Sequence, residues 1–157
     1  MKRKVMRPGT IGELIASGYK VLPVREEMRK NLIRMIRANE KLFPSIMGFD
    51  ESVIPQLQNA ILAGQDIVFL GERGQAKTRL MRSLVSLLDP EVPVIAGCEI
   101  NDNPYKPICK GCLRKVEELG EGSVEIAWLP MDVRYGEKLA TPDTTIAALI
   151  GEVDPIK

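Results

Sequence analysis

The segment Gly71-Glu72-Arg73-Gly74-Gln75-Ala76-Lys77-Thr78 sets two glycines, a lysine and a hydroxyl at a spacing suited to holding phosphate. Glycines let backbone N–H groups curl around phosphate oxygens, and a helix beginning near the lysine adds the positive end of its dipole. Lys77 would reach the terminal phosphates of a nucleoside triphosphate, and the Thr78 hydroxyl would ligate Mg2+. The full phosphate-loop (Walker A) signature is Gly-x4-Gly-Lys-Ser/Thr, and Ala76 stands here in the second-glycine position. Its methyl is tolerated if its φ is negative, at the expense of crowding a phosphate. The competing reading is a Gly-containing turn that merely joins a strand to a helix. Arg73 either touches phosphate or a neighbouring subunit, or is a solvated loop charge like its neighbours Glu72 and Arg79.

The second group with chemical potential is Cys109-Lys110-Gly111-Cys112, with Cys98 upstream. Three thiolates suit Zn2+ but need a fourth ligand. The chain has no histidine, so that ligand would be a carboxylate, a water or a residue beyond Lys157. Three reduced thiols in an irregular segment, or a redox C-x2-C pair, are the other readings. The absence of histidine also removes the commonest general base.

The elements that must position these groups follow from local pattern. Thr10-Ile11-Gly12-Glu13 has the spacing of a capping box, opening a short helix that Gly18 ends. After Pro23 an amphipathic helix with a basic outer face runs to about Asn39, with Met28, Leu32, Ile33 and Ile36 at helical spacing. Leu42–Asp50 reads as a loop. A helix capped by Asp50 or Ser52 then turns Val53, Leu57, Ile61 and Leu62 inward and stops at Gly64. Asp66–Leu70 is a short apolar run, predicting a strand buried on both faces. Lys77–Leu88 reads as a helix, Val92–Ala96 and Val124–Leu129 as strands, and Leu113–Leu119 as at best a short helix. Asp143 or Thr144 would cap a short helix through Ile150, ended by Gly151.

Composition bounds the classes. With 157 residues, 45% apolar and 27% charged, the chain has the make-up of one ordinary globular domain. It has no secretory signal and no apolar run long enough to span a bilayer. Three cysteines and no signal peptide favour a reducing cytoplasm. The net charge of +1 hides an asymmetry: residues 1–41 hold 11 Lys/Arg against 4 Asp/Glu, while residues 42–157 are acidic. A basic arm suits nucleic acid or an acidic membrane surface. Packing on the acidic body is preferred, because the arm holds only Tyr19 for base stacking.

Phe43–Leu88, with Phe-Pro-x-Ile-x-Gly ahead of a helix, a strand and the phosphate loop, resembles the start of an AAA+ ATPase domain. Val94-Ile95-Ala96-Gly97, Asn101–Pro107, Pro130-Met131-Asp132 and Lys138–Asp154 resemble the small ATPase subunit of magnesium chelatase and related MoxR-type ATPases. The resemblance covers most of residues 42–157. It implies an α/β P-loop fold with a three-layer αβα core, incomplete at the C-terminus and preceded by the helical arm of residues 1–41. It further implies ATP and Mg2+ as cofactors, a homo-oligomeric ring, and a partner with a von Willebrand A domain. Ile46, Met47 and Gly48 would line the adenine site, or else make an ordinary apolar contact under a loop.

The family also needs an apolar strand ending in Asp-Glu to activate water, and none occurs in these residues. The expectation is therefore the N-terminal part of a longer ATPase that remodels a partner or inserts a metal. Alone it would hydrolyse ATP poorly or not at all. The alternative is a non-hydrolysing nucleotide-binding or assembly module docking through its basic helices.

Overall fold

Thr10 opens helix α1 (Ile11–Ala16) in the computed structural model, which describes residues 7–151. The Thr10 hydroxyl accepts from the Glu13 N–H at 3.2 Å, and the Glu13 carboxylate accepts from the Gly9 N–H at 2.7 Å. Side-chain oxygens thus take up one N–H that the first helical turn leaves unpaired and one just ahead of the cap. Helix α2 (Val24–Arg37) follows Pro23, and α3 (Val53–Leu62) carries Pro55 in its first turn, where its missing N–H costs nothing. Helix α4 (Lys77–Ser83) tightens into a 3-10 turn over Leu84–Leu87. Strands β1 (Glu91–Ile95) and β2 (Ile126–Pro130) flank α5 (Lys110–Leu119), and α6 (Ala147–Ile150) ends at Gly151. Helix α5 starts earlier than the expected Leu113 because the Cys109 thiol caps it, accepting from the Cys112 N–H.

β1 and β2 pair antiparallel, with Val92 opposite Leu129 and Ile95 opposite Ile126. Pro93 sits opposite Trp128; a two-stranded sheet has only edge strands, so its lack of an N–H is tolerated. The expected strand at Asp66–Leu70 is corrected. These residues form no ladder, and the described residues hold a single two-stranded sheet. A ladder needs a partner strand alongside, and no strand among the described residues pairs with this segment. The segment still alternates as extended chain does. Ile67 and Phe69 pack on the core, while Val68 is 79% and Leu70 89% exposed.

Apolar side chains gather in two cores. The first joins Leu32 of α2, Phe43 and Ile46 of the following loop, Ile54, Leu57 and Ile61 of α3, Leu80 of α4 and Leu87. The second joins Ile11 and Leu14 of α1, Ile95 of β1, Cys112 of α5, Val124, and Ile126 of β2. Residues 7–19 are therefore seated on the sheet: Ile126 N–H donates to the Gly9 carbonyl at 2.9 Å, and Trp128 Nε1 donates to the Pro8 carbonyl at 3.0 Å. Tyr19 meets the Trp128 ring edge-on at 5.7 Å and its carbonyl accepts from the Tyr105 hydroxyl.

A polar seam joins the cores. Glu27 of α2, only 2% exposed, is gripped by both Nη atoms of Arg134 at 2.8 and 2.5 Å and accepts from the Asp89 N–H at 2.6 Å. Asn31 donates to the Leu87 carbonyl and to Asp89, whose other oxygen accepts from Lys30 at 2.7 Å. A carboxylate this deeply buried is sustained because both of its oxygens find donors, one of them a cation.

Candidate functional site

Residues 71–76 lie between the extended 65–70 segment and α4, and Lys77 and Thr78 open that helix. Leu80, buried in the first core, fixes α4 and hence the direction in which Lys77 and Thr78 leave it. Gly74 has φ +84° and Ala76 φ +54°. Ala76 is therefore in the left-handed region, so the condition of a negative φ under which its methyl is tolerated is not met. Glycine adopts that conformation freely and alanine pays for its Cβ, which explains why the full signature has glycine there. Lys77 Nζ donates to the carbonyls of Gly71 at 2.8 Å and Glu72 at 2.5 Å, and Gln75 Oε1 accepts from the Glu72 N–H. The ammonium thus lies folded over its own loop, whose residues Gly71–Gln75 are all exposed.

Lys77 and Thr78 border a cavity of about 820 Å³. Its other walls are mostly apolar, from Val24 and Met28 of α2, Ile67 and Phe69, and Met81 and Leu84. Arg134 and Tyr135 close one side. Arg82 of α4 holds that side in place through two hydrogen bonds to Glu137, each 2.9 Å. The same guanidinium, with the Tyr135 hydroxyl, keeps the Glu137 carboxyl down at about 2. Ile46, Met47 and Gly48 lie elsewhere: Ile46 is buried in the first core, Met47 is 80% exposed, and none of the three lines this cavity.

The cysteines converge. One ligand atom from each of Cys98, Asp102, Cys109 and Cys112 lies within 4.8 Å of the others, and the Cys98 and Cys109 sulfurs are 3.8 Å apart. The sequence pointed to the three thiols but not to Asp102, which was one acidic residue within the Asn101–Pro107 stretch between them. Asp102 is buried, and its Oδ2 accepts from the N–H groups of Ile108 and Cys109 at 2.9 Å each. Burial pushes its carboxyl up, but those hydrogen bonds outweigh it and hold the group below the usual range. Burial beside two other thiols pushes Cys112 up to about 12. Four donors, three of them sulfur, make a set able to take one metal ion.

Comparison with known proteins places the chain beside one group. No protein-family profile matches it, and no solved structure matches it. Curated relatives do, and they make the chain a relative of the ChlI subunits of magnesium chelatase, as the residues from Phe43 onward suggested. It is 35% identical over 111 residues to magnesium-chelatase subunit ChlI-2, chloroplastic, of Arabidopsis thaliana, covering 64% of this chain and 26% of the relative. To subunit ChlI-1 of the same plant it is 30% identical over 140 residues, covering 73% of this chain and 32% of the relative. To the Glycine max ChlI subunit it is 40% identical over 68 residues, 41% of this chain and 15% of the relative. The chain thus spans about a third or less of the length of these relatives. Matches covering 64% and 73% of this chain necessarily take in its middle, where residues 71–78 lie. No helix among the described residues is long and apolar enough to cross a membrane.

Proposed function

We propose that these residues are a nucleotide-binding part of a chelatase-like AAA+ ATPase. The observation that carries this reading is the Gly71–Thr78 pattern at the start of α4 within a chain related to ChlI subunits. Backbone N–H groups of the loop and the Lys77 ammonium would hold the phosphates of ATP. Thr78 would hold Mg2+ together with them. Lys77 must first leave the Gly71 and Glu72 carbonyls, so anion binding replaces two internal hydrogen bonds rather than adding to them. Ile46, Met47 and Gly48 remain candidates for the adenine side.

In the complete protein, hydrolysis in a homo-oligomeric ring in the cytoplasm would drive remodelling of a partner carrying a von Willebrand A domain, or metal insertion. These residues hold no apolar strand ending in Asp-Glu to activate water, and a nucleotide-binding module that does not hydrolyse is the second reading. Calorimetry of Mg-ATP binding tests the site. Lys77→Ala should weaken binding by at least about tenfold, the loss of one charge-assisted hydrogen-bonding group. Unchanged affinity would remove the phosphate-loop assignment.

A further inference from the structure

We propose that Cys98, Asp102, Cys109 and Cys112 bind one Zn2+ in a closed, structural, tetrahedral site. Zinc–sulfur bonds of about 2.3 Å place tetrahedral sulfurs about 3.8 Å apart, and the Cys98 and Cys109 sulfurs are separated by 3.8 Å. All four donor atoms lie within 4.8 Å of one another, a space for a single ion and not for a cluster with bridging sulfides of its own. Sulfur donors select zinc over magnesium or calcium, and four protein ligands leave no open position for substrate.

The surroundings have the form of an outer shell. The Asp102 N–H donates to Cys98 Sγ at 3.4 Å and the Cys112 N–H to Cys109 Sγ at 3.2 Å. The Ile108 and Cys109 N–H groups fix the Asp102 carboxylate. Such contacts orient ligands before the metal arrives. Cys109 caps the ten-residue helix α5 and Cys112 lies in its first turn, so the helix dipole favours the thiolates. Zn2+ would displace the three thiol protons and take the carboxylate as it stands. The ion would tie the end of β1 to the start of α5 beside the second core. It is independent of nucleotide at Lys77, so either site can fail without the other.

The test is metal analysis of the full 157-residue chain, purified with reductant and without chelator from cells supplied with both zinc and iron. One zinc per chain is expected. Iron instead of zinc, a metal-free chain, or a Cys98–Cys109 disulfide by mass would overturn the proposal. Replacement by Co2+ should give the intense visible bands of a tetrahedral ion and thiolate charge transfer that Cys112→Ser diminishes. An octahedral spectrum would overturn it without any variant having to fold. Asp102→Asn should weaken zinc about ten- to hundredfold against a chromophoric chelator, and an unchanged affinity would remove Asp102 as the fourth ligand.

Discussion

Residues 65–76 and 98–112 are both irregular connections bearing the side chains with chemistry, and they are built in opposite ways. In the second, the polar groups that matter answer one another: Asp102 takes two N–H groups, two sulfurs each take one, and the Asp102 carbonyl accepts from Ile95 of the sheet. In the first, the backbone faces solvent, Val68 and Leu70 are exposed, and the lysine is satisfied only by the loop's own carbonyls. A loop whose partners are internal holds its shape by itself. One whose partners are few keeps its donors available to something else.

The contrast is open to direct attack. In chelator-treated chain, Asp102→Ala leaves the Ile108 and Cys109 N–H groups without their carboxylate and should lower stability by about 1–3 kcal/mol, whereas Gln75→Ala in the open loop should stay within about 0.5 kcal/mol. Equal losses in urea unfolding would erase the distinction. A smaller effect is expected at the seam. Burial pushes the Asp89 carboxyl up, but hydrogen bonds from Lys30 and Asn31 outweigh it and hold the group below the usual range. A depressed folded value stabilises the protein above the unfolded value of about 4, and that stability is lost as the pH falls below it. The urea midpoint should therefore drop on acidification, and Asp89→Asn should flatten that drop. Smallest is Ala76→Gly. Removing the Cβ at φ +54° relieves about 1 kcal/mol, and the freer unfolded chain offsets about half of it. Mg-ATP binding should be equal or tighter, and a marked loss would mean that the left-handed turn is not the binding conformation.

What the sequence made legible was local. The Thr10 cap and the helix after Pro23 each depend on residues a few positions apart, and each lies where its spacing placed it. Asp102, Glu27 and Arg134 were not legible. Glu27 sits in the first turn of α2 among exposed charges and differs from them because Arg134 arrives from across the chain. The segment 66–70 was misread for the complementary reason: a continuous apolar run reports a tendency to extend, while a ladder requires neighbours that local pattern does not reveal. The same limit hid the fourth member of the cysteine group, since acidic residues are common and only the fold shows which one meets the sulfurs.

The seating of the first helix on the last strand has a consequence for the order of events on the ribosome. Pro8 and Gly9 meet Trp128 and Ile126, and Glu27 meets Arg134. Helices α1 and α2 leave the exit tunnel ahead of these partners, which are made more than a hundred residues later. Until then Ile11, Leu14 and an uncompensated Glu27 face water or a chaperone. Contacts of such long range delay folding of the whole, so the nascent chain should remain protease-sensitive at its start until the residues around Arg134 have emerged.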